Sequence, residues 1–236
     1  IITAAVAGLL CIATASLFSY PMQVWQIQLL ALVLTGIILF SPVYKDQLSL
    51  TGKRVIYCVR FVYFLLTVLF LFTTIALLRR KTMEKNVFEM ARLGYRTDAI
   101  NGYRKLCTTY PTVGYNYLSL AEQLYYSNRL DEALLTLEKG RKYYVDNKLY
   151  KLKANIENES GKYAEAEKSY LMAIYMVPNR MGSRFDLMNF YISRNDTVKA
   201  INWVNSIIKM PVKVPSERTE NMLRYTKDIL LKLENN

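Results

Sequence analysis

The 236-residue chain contains no histidine. Its absence removes the commonest general base at neutral pH and a common metal ligand, so histidine-dependent triads and histidine-based metal centres are excluded. Cysteine is scarce. Cys11, Cys58 and Cys107 are odd in number and widely scattered, which fits neither a disulfide framework nor a paired-cysteine metal motif. No glycine-rich phosphate loop occurs. Acidic residues are nearly missing from the first third, where Asp46 is the only one up to Leu78. Glu157, Glu159, Glu165 and Glu167 do cluster, but two pairs around a turn read as a solvated face. No catalytic residue can be named, no metal or cofactor is implied, and no nucleic-acid partner is expected.

What the first third has instead is hydrocarbon. Three apolar runs, 1–18, 24–40 and 55–78, follow one another, with Gln26, Gln28 and Arg60 as their notable polar residues. A helix needs roughly 20 apolar residues to cross a bilayer, so each run qualifies as a span. Arg60 lies near the start of its run and can snorkel to the interface beside Lys53 and Arg54. The chain begins at Ile1 inside an apolar run with no basic lead, so it reads as truncated within a transmembrane helix. The loop at Ser19-Tyr20-Pro21 is uncharged, whereas 41–54 carries Lys45, Lys53 and Arg54 against Asp46. The positive-inside rule puts the second loop in the cytoplasm and everything after Leu78 outside it; Arg79-Arg80-Lys81 argues the other way.

Most of the charge lies downstream. Of 31 basic and 19 acidic residues, four and one fall before Arg79, which leaves the rest of the chain with a net charge of +9. Such a surface suits anionic headgroups or glycolipid, or is simply well solvated. Lys139, Arg141 and Lys142 are the candidate basic patch.

An alanine recurs at Ala99, Ala133, Ala166 and Ala200, with spacings of 34, 33 and 34 residues. Four residues after each comes Tyr103, Leu137, Tyr170 or Val204, on the same helical face. Twelve after come Pro111, Val145, Pro178 and Val212, and proline ends a helix. Gly94, Gly161 and Asn195 precede the beat by five residues, where a left-handed turn residue is favoured. A period near 34 with this pattern is that of the tetratricopeptide repeat. Four hairpins are expected over 79–214, the first helix of the first (83–93) running on from the third apolar run. A capping helix over 215–236 follows, with Ser216 as its N-cap and Met222, Tyr225, Ile229 and Leu233 at helical spacing.

The fold class expected is therefore all-α: a membrane part over 1–78, then an α-solenoid of helical hairpins that engages a protein partner. Tyr115, Tyr117, Tyr125, Tyr126, Tyr143, Tyr144 and Tyr150 read as packing residues of the repeats; exposed tyrosine beside lysine could instead stack on sugar or bind peptide. Asn158-Glu-Ser and Asn195-Asp-Thr match the glycosylation sequon, a three-residue pattern of little specificity.

Residues 15–24, Ala-Ser-Leu-Phe-Ser-Tyr-Pro-Met-Gln-Val, resemble the aromatic-proline joint between the last two core spans of the O-antigen ligase/polymerase family. Residues 173–180 and 209–216 resemble the repeat tail of ligase-like proteins from Bacteroidetes-type bacteria. The resemblance implies a multi-pass inner-membrane glycosyltransferase that moves a glycan from undecaprenyl diphosphate to an acceptor such as lipid A-core. It also implies that the repeats are periplasmic and accessory. The family's functional arginine and histidine lie upstream of such a segment, so only Ser19, Tyr20 and Pro21 match a family motif here. The alternative is a non-enzymatic, membrane-anchored repeat scaffold for envelope assembly.

Overall fold

The computed structural model describes Gly8 and residues 33–37, 50–212 and 215–234. The chain divides into two compact units, Ile1–Thr82 and Met83–Asn236. Among the described residues nine long helices follow in order: α1 Leu50–Arg92, α2 Arg96–Thr109, α3 Gly114–Tyr126, α4 Leu130–Arg141, α5 Asn147–Glu159, α6 Tyr163–Met176, α7 Met181–Ser193, α8 Thr197–Ile208 and α9 Glu217–Glu234.

In the first unit, residues 33–37 are helical and α1 dominates. Between Phe61 and Leu78, α1 holds 18 residues without a charge, about 27 Å of helix at 1.5 Å per residue. Phe61, Phe64, Leu69, Phe72 and Leu78 are all exposed. Its polar side chains turn inward on their own backbone. Thr67 Oγ1 donates to Tyr63 O at 2.8 Å, and Thr73 and Thr74 donate to Phe70 O at 2.9 and 2.8 Å. An added Cβ on Gly36 would lie 2.9 Å from Tyr63 Oη, the far end of that side chain. Among the described residues α1 is the one helix long and apolar enough to cross a membrane. The expected spans over 1–18 and 24–40 lie outside the described residues except for Gly8 and 33–37.

The second unit is built of antiparallel hairpins: the end of α1 with α2, α3 with α4, α5 with α6, and α7 with α8. The four beat alanines are fully buried and sit in the second helix of each hairpin. A methyl group there lets two helices approach where a larger side chain would hold them apart. The turns repeat as strictly. Gly94, Asn128, Gly161 and Asn195 all have positive φ, at spacings of 34, 33 and 34 residues. Asn128 is the member that the sequence reading did not pick out; asparagine tolerates the left-handed conformation almost as glycine does.

The last helix, α9, is capped at its start. Ser216 Oγ accepts from Thr219 N at 3.3 Å, and α9 packs on α8 and α7. Met222 and Ile229 join the terminal core. Tyr225, however, is 45% exposed, and Thr226 takes the fully buried place beside it. The Thr226 hydroxyl is satisfied by donating to Met222 O at 2.7 Å, so its burial leaves no polar group unpaired.

Candidate functional site

The first helices of successive hairpins meet on one side of the second unit. There α3 touches α5, and α7 touches α9, in addition to their own hairpin partners. We call this side the inner face. Side chains bridge it at each step. The Tyr125 hydroxyl on α3 donates to Glu159 at the end of α5. Lys151 on α5 pairs with Asp186 on α7. Asn147, fully buried at the start of α5, donates to Ala173 O at 2.6 Å and to Ser183 Oγ at 2.9 Å. The Phe185 ring on α7 lies 5.5 Å from the Tyr225 ring of α9, tilted by 57°.

The electrostatics follow from half-burial. Burial pushes the Glu122 carboxyl up, and the nearby Lys148 only partly opposes it. The Tyr125 phenol is raised by burial and by the Glu159 carboxylate it serves. Tyr144 is held up to about 12 by its bond to Asp146 at 2.8 Å. Tyr115 and Tyr126 remain well exposed, and Arg96 lies over the Tyr126 ring at 5.5 Å. Cys107 is buried and its thiol is raised to about 11, which leaves it inert. No group of three or more acidic or cysteine side chains that could hold a metal occurs among the described residues.

The residues singled out from sequence fall in three places. Ser19, Tyr20 and Pro21 lie outside the described residues. Ala99, Ala133, Ala166, Ala200, Tyr103, Leu137, Tyr170 and Val204 are all buried in the repeat cores. Lys139, Arg141 and Lys142 are exposed at the end of α4, a second helix; Arg141 pairs with Glu138 at 3.2 Å, and Lys142 lies 5.7 Å over the Tyr143 ring.

Two sequence readings change. Of the four clustered glutamates, Glu159 and Glu165 are exposed, but Glu157 and Glu167 are not part of a solvated face. Glu157 is buried and accepts from Ser169 at 2.6 Å, and Glu167 accepts from Tyr191 at 2.7 Å and Lys199 at 3.1 Å. Their partners on the next helix are 12 and 24 residues away, which local spacing does not reveal. The seven repeat tyrosines divide as well: Tyr115, Tyr126 and Tyr143 are exposed, the other four partly buried.

Sequence reading also passed over three glycines. A Cβ on Gly102 would lie 2.5 Å from Val87, on Gly114 2.4 Å from Tyr144, and on Gly140 2.5 Å from Tyr117. These are closer than side chains approach, so each glycine seats a neighbouring helix or turn. The signal was present for two of them: Gly102 and Gly140 lie three residues after Ala99 and Leu137, on the same helical face.

No protein-family model and no curated protein matches the chain. Solved structures do. A tetratricopeptide repeat protein from Parabacteroides merdae is similar at 16% identity and a TM-score of 0.54, over 66% of this chain. The present chain spans 60% of that protein's length. A thermophilic repeat protein of Thermus thermophilus matches at 17% identity and a TM-score of 0.53, over 64% of this chain and 81% of its own. The MamA protein matches at 16% identity and a TM-score of 0.51, over 66% and 86%. At these identities the likeness speaks for architecture: the described helices carry the fold of tetratricopeptide-like helical repeats.

Proposed function

We propose that this chain is a protein-interaction scaffold carried on a membrane-crossing helix. The observation that carries the reading is the inner face. A row of first helices, locked to one another by Tyr125–Glu159, Lys151–Asp186 and Asn147–Ser183, presents exposed Tyr115 and Tyr126 and half-buried charges on a pre-ordered surface. Rigid aromatic and charged side chains bind a partner with little ordering cost, and helical repeats use such surfaces for extended contacts. The tether rests on α1, whose uncharged stretch approaches the thickness of bilayer hydrocarbon and whose threonine hydroxyls are satisfied internally. Arg60 on one side and Arg79, Arg80 and Lys81 on the other bracket that stretch with charge suited to headgroups.

The glycan-transfer reading gains less support. Its aromatic-proline motif lies outside the described residues. Residues 173–180 are the end of α6 with its turn, an ordinary joint of the repeat fold, and 209–212 follow the end of α8. A photo-crosslinking residue placed at Tyr126 or Lys148, compared with one at Tyr175 on α6, tests the proposal in native membranes. Discrete protein adducts from the first two positions and none from Tyr175 are expected. Adducts only to lipid or glycan would overturn it.

A further inference from the structure

Resting on the scaffold reading, we infer that a cavity between the starts of α7 and α9 takes an acidic peptide segment of the partner, with aliphatic residues beside its carboxylates. The cavity measures about 370 Å³, within the roughly 300–1,000 Å³ range of ligand sites. Its walls combine two chemistries. Lys151, Arg180 and Arg218 bring positive charge from α5, from the residue before α7 and from the first turn of α9. Met181, Met210 and Met222 supply flexible apolar surface that adapts to aliphatic side chains.

Of the three wall charges, only that of Lys151 is met by a carboxylate among the described residues, that of Asp186. Arg180 makes one long contact, 3.4 Å to Asn147 Oδ1. Arg218 has no hydrogen bond or ion pair among the described residues. Glu217 and Glu220 share the first turn of α9 but do not line the cavity. The start of α7 adds to the field, because the Arg180 side chain makes no capping bond and the first N–H groups of a helix lack internal partners. Two guanidiniums that hold carboxylates in planar pairs, over a methionine floor, match an acidic-aliphatic segment better than a free inorganic anion, for which the apolar walls would have no use. The net charge of +9 downstream of Leu78 favours encounter with such a partner.

The test uses the full chain in nanodiscs of phosphatidylcholine, screened with a display library of random decapeptides; the selected peptides are then titrated by fluorescence anisotropy. Expected are peptides with Asp or Glu next to Leu, Ile, Met or Phe. Arg180→Glu with Arg218→Glu should weaken them by about tenfold or more, the loss of one good charge-assisted contact. Gly182→Leu keeps the charge but fills the cavity, and should weaken them as strongly; unchanged thermal melting shows that both variants fold. Selected peptides without acidic residues, or acidic peptides bound equally by the double variant, would overturn the cavity site. Peptides lost with Tyr126→Ala but retained by the double variant would overturn it while leaving the scaffold reading intact. No peptide at all would remove both. Arginine-dependent binding of phosphatidylglycerol vesicles without peptide selection would overturn the proposal in favour of a lipid headgroup.

Discussion

The stretch 61–78 of α1 and the second helices of the repeats use the same kinds of residue in opposite ways. In α1, Leu69 is 59% exposed; in α4, Leu137 is 1% exposed. A water-soluble helix shows one apolar stripe and buries it, as α4 does with Ala133 and Leu137. A helix apolar on all sides must find a nonpolar surrounding elsewhere, and internal bonding of Thr67, Thr73 and Thr74 removes the polar groups that would resist it. The stretch 61–78 holds no charge, whereas α4 carries Asp131, Glu132, Glu138, Lys139 and Arg141 beside its buried stripe.

That contrast can be broken by one substitution made twice. Leu137→Ala empties a closed site and should lower repeat stability by about 2–5 kcal/mol, read by urea unfolding followed by circular dichroism. Leu69→Ala, with no packed surroundings to collapse, should leave the same unfolding curve unchanged.

The converse change is a charge. Leu69→Lys places an ammonium at the centre of the uncharged stretch, worth about 2.5–3.5 kcal/mol against insertion, and should release the chain from membranes on alkaline extraction. Tyr175→Lys, at a site 80% exposed on α6, should alter neither extraction nor melting.

Smaller effects sharpen the repeat side. Gly140→Ala forces a methyl onto Tyr117 and should cost about 1–3 kcal/mol in the same urea measurement. Gly161→Asn should stay within about 0.5 kcal/mol of the original, since Asn128 and Asn195 already hold the equivalent left-handed turns.

The smallest concerns pH. Burial raises the Glu122 carboxyl in the folded state, so folding is favoured while it is protonated. Its contribution is therefore lost as pH rises from the ordinary carboxylate range through the raised folded value. Glu122→Gln should flatten that loss and raise the melting temperature by on the order of 1–3 °C at pH 7, with no gain below pH 4. The stretch 61–78 carries no carboxylate and should not respond in this range.

The local features of the repeats were legible in the sequence. A small residue at a fixed period, a turn residue before it and proline after it are each imposed by backbone geometry within a few residues. What escaped was set by distant partners. Glu167 reads as a surface charge until Tyr191 and Lys199 arrive from 24 and 32 residues away. The close approach of Gly140 to Tyr117 depends on how α4 crosses α3. The cavity between α7 and α9 draws its walls from α5, two loops and two helix starts, which no single window of sequence contains. Among the apolar runs, the third was legible as one long apolar helix, because uniform hydropathy needs no partner to interpret.

The most direct test compares the full chain with residues 83–236 by alkaline extraction of membranes and by thermal melting. The account predicts that the full chain stays in the membrane pellet while residues 83–236 are released and melt cooperatively at the same temperature. Release of the full chain, or a fragment that no longer folds, would contradict a repeat scaffold tethered through α1.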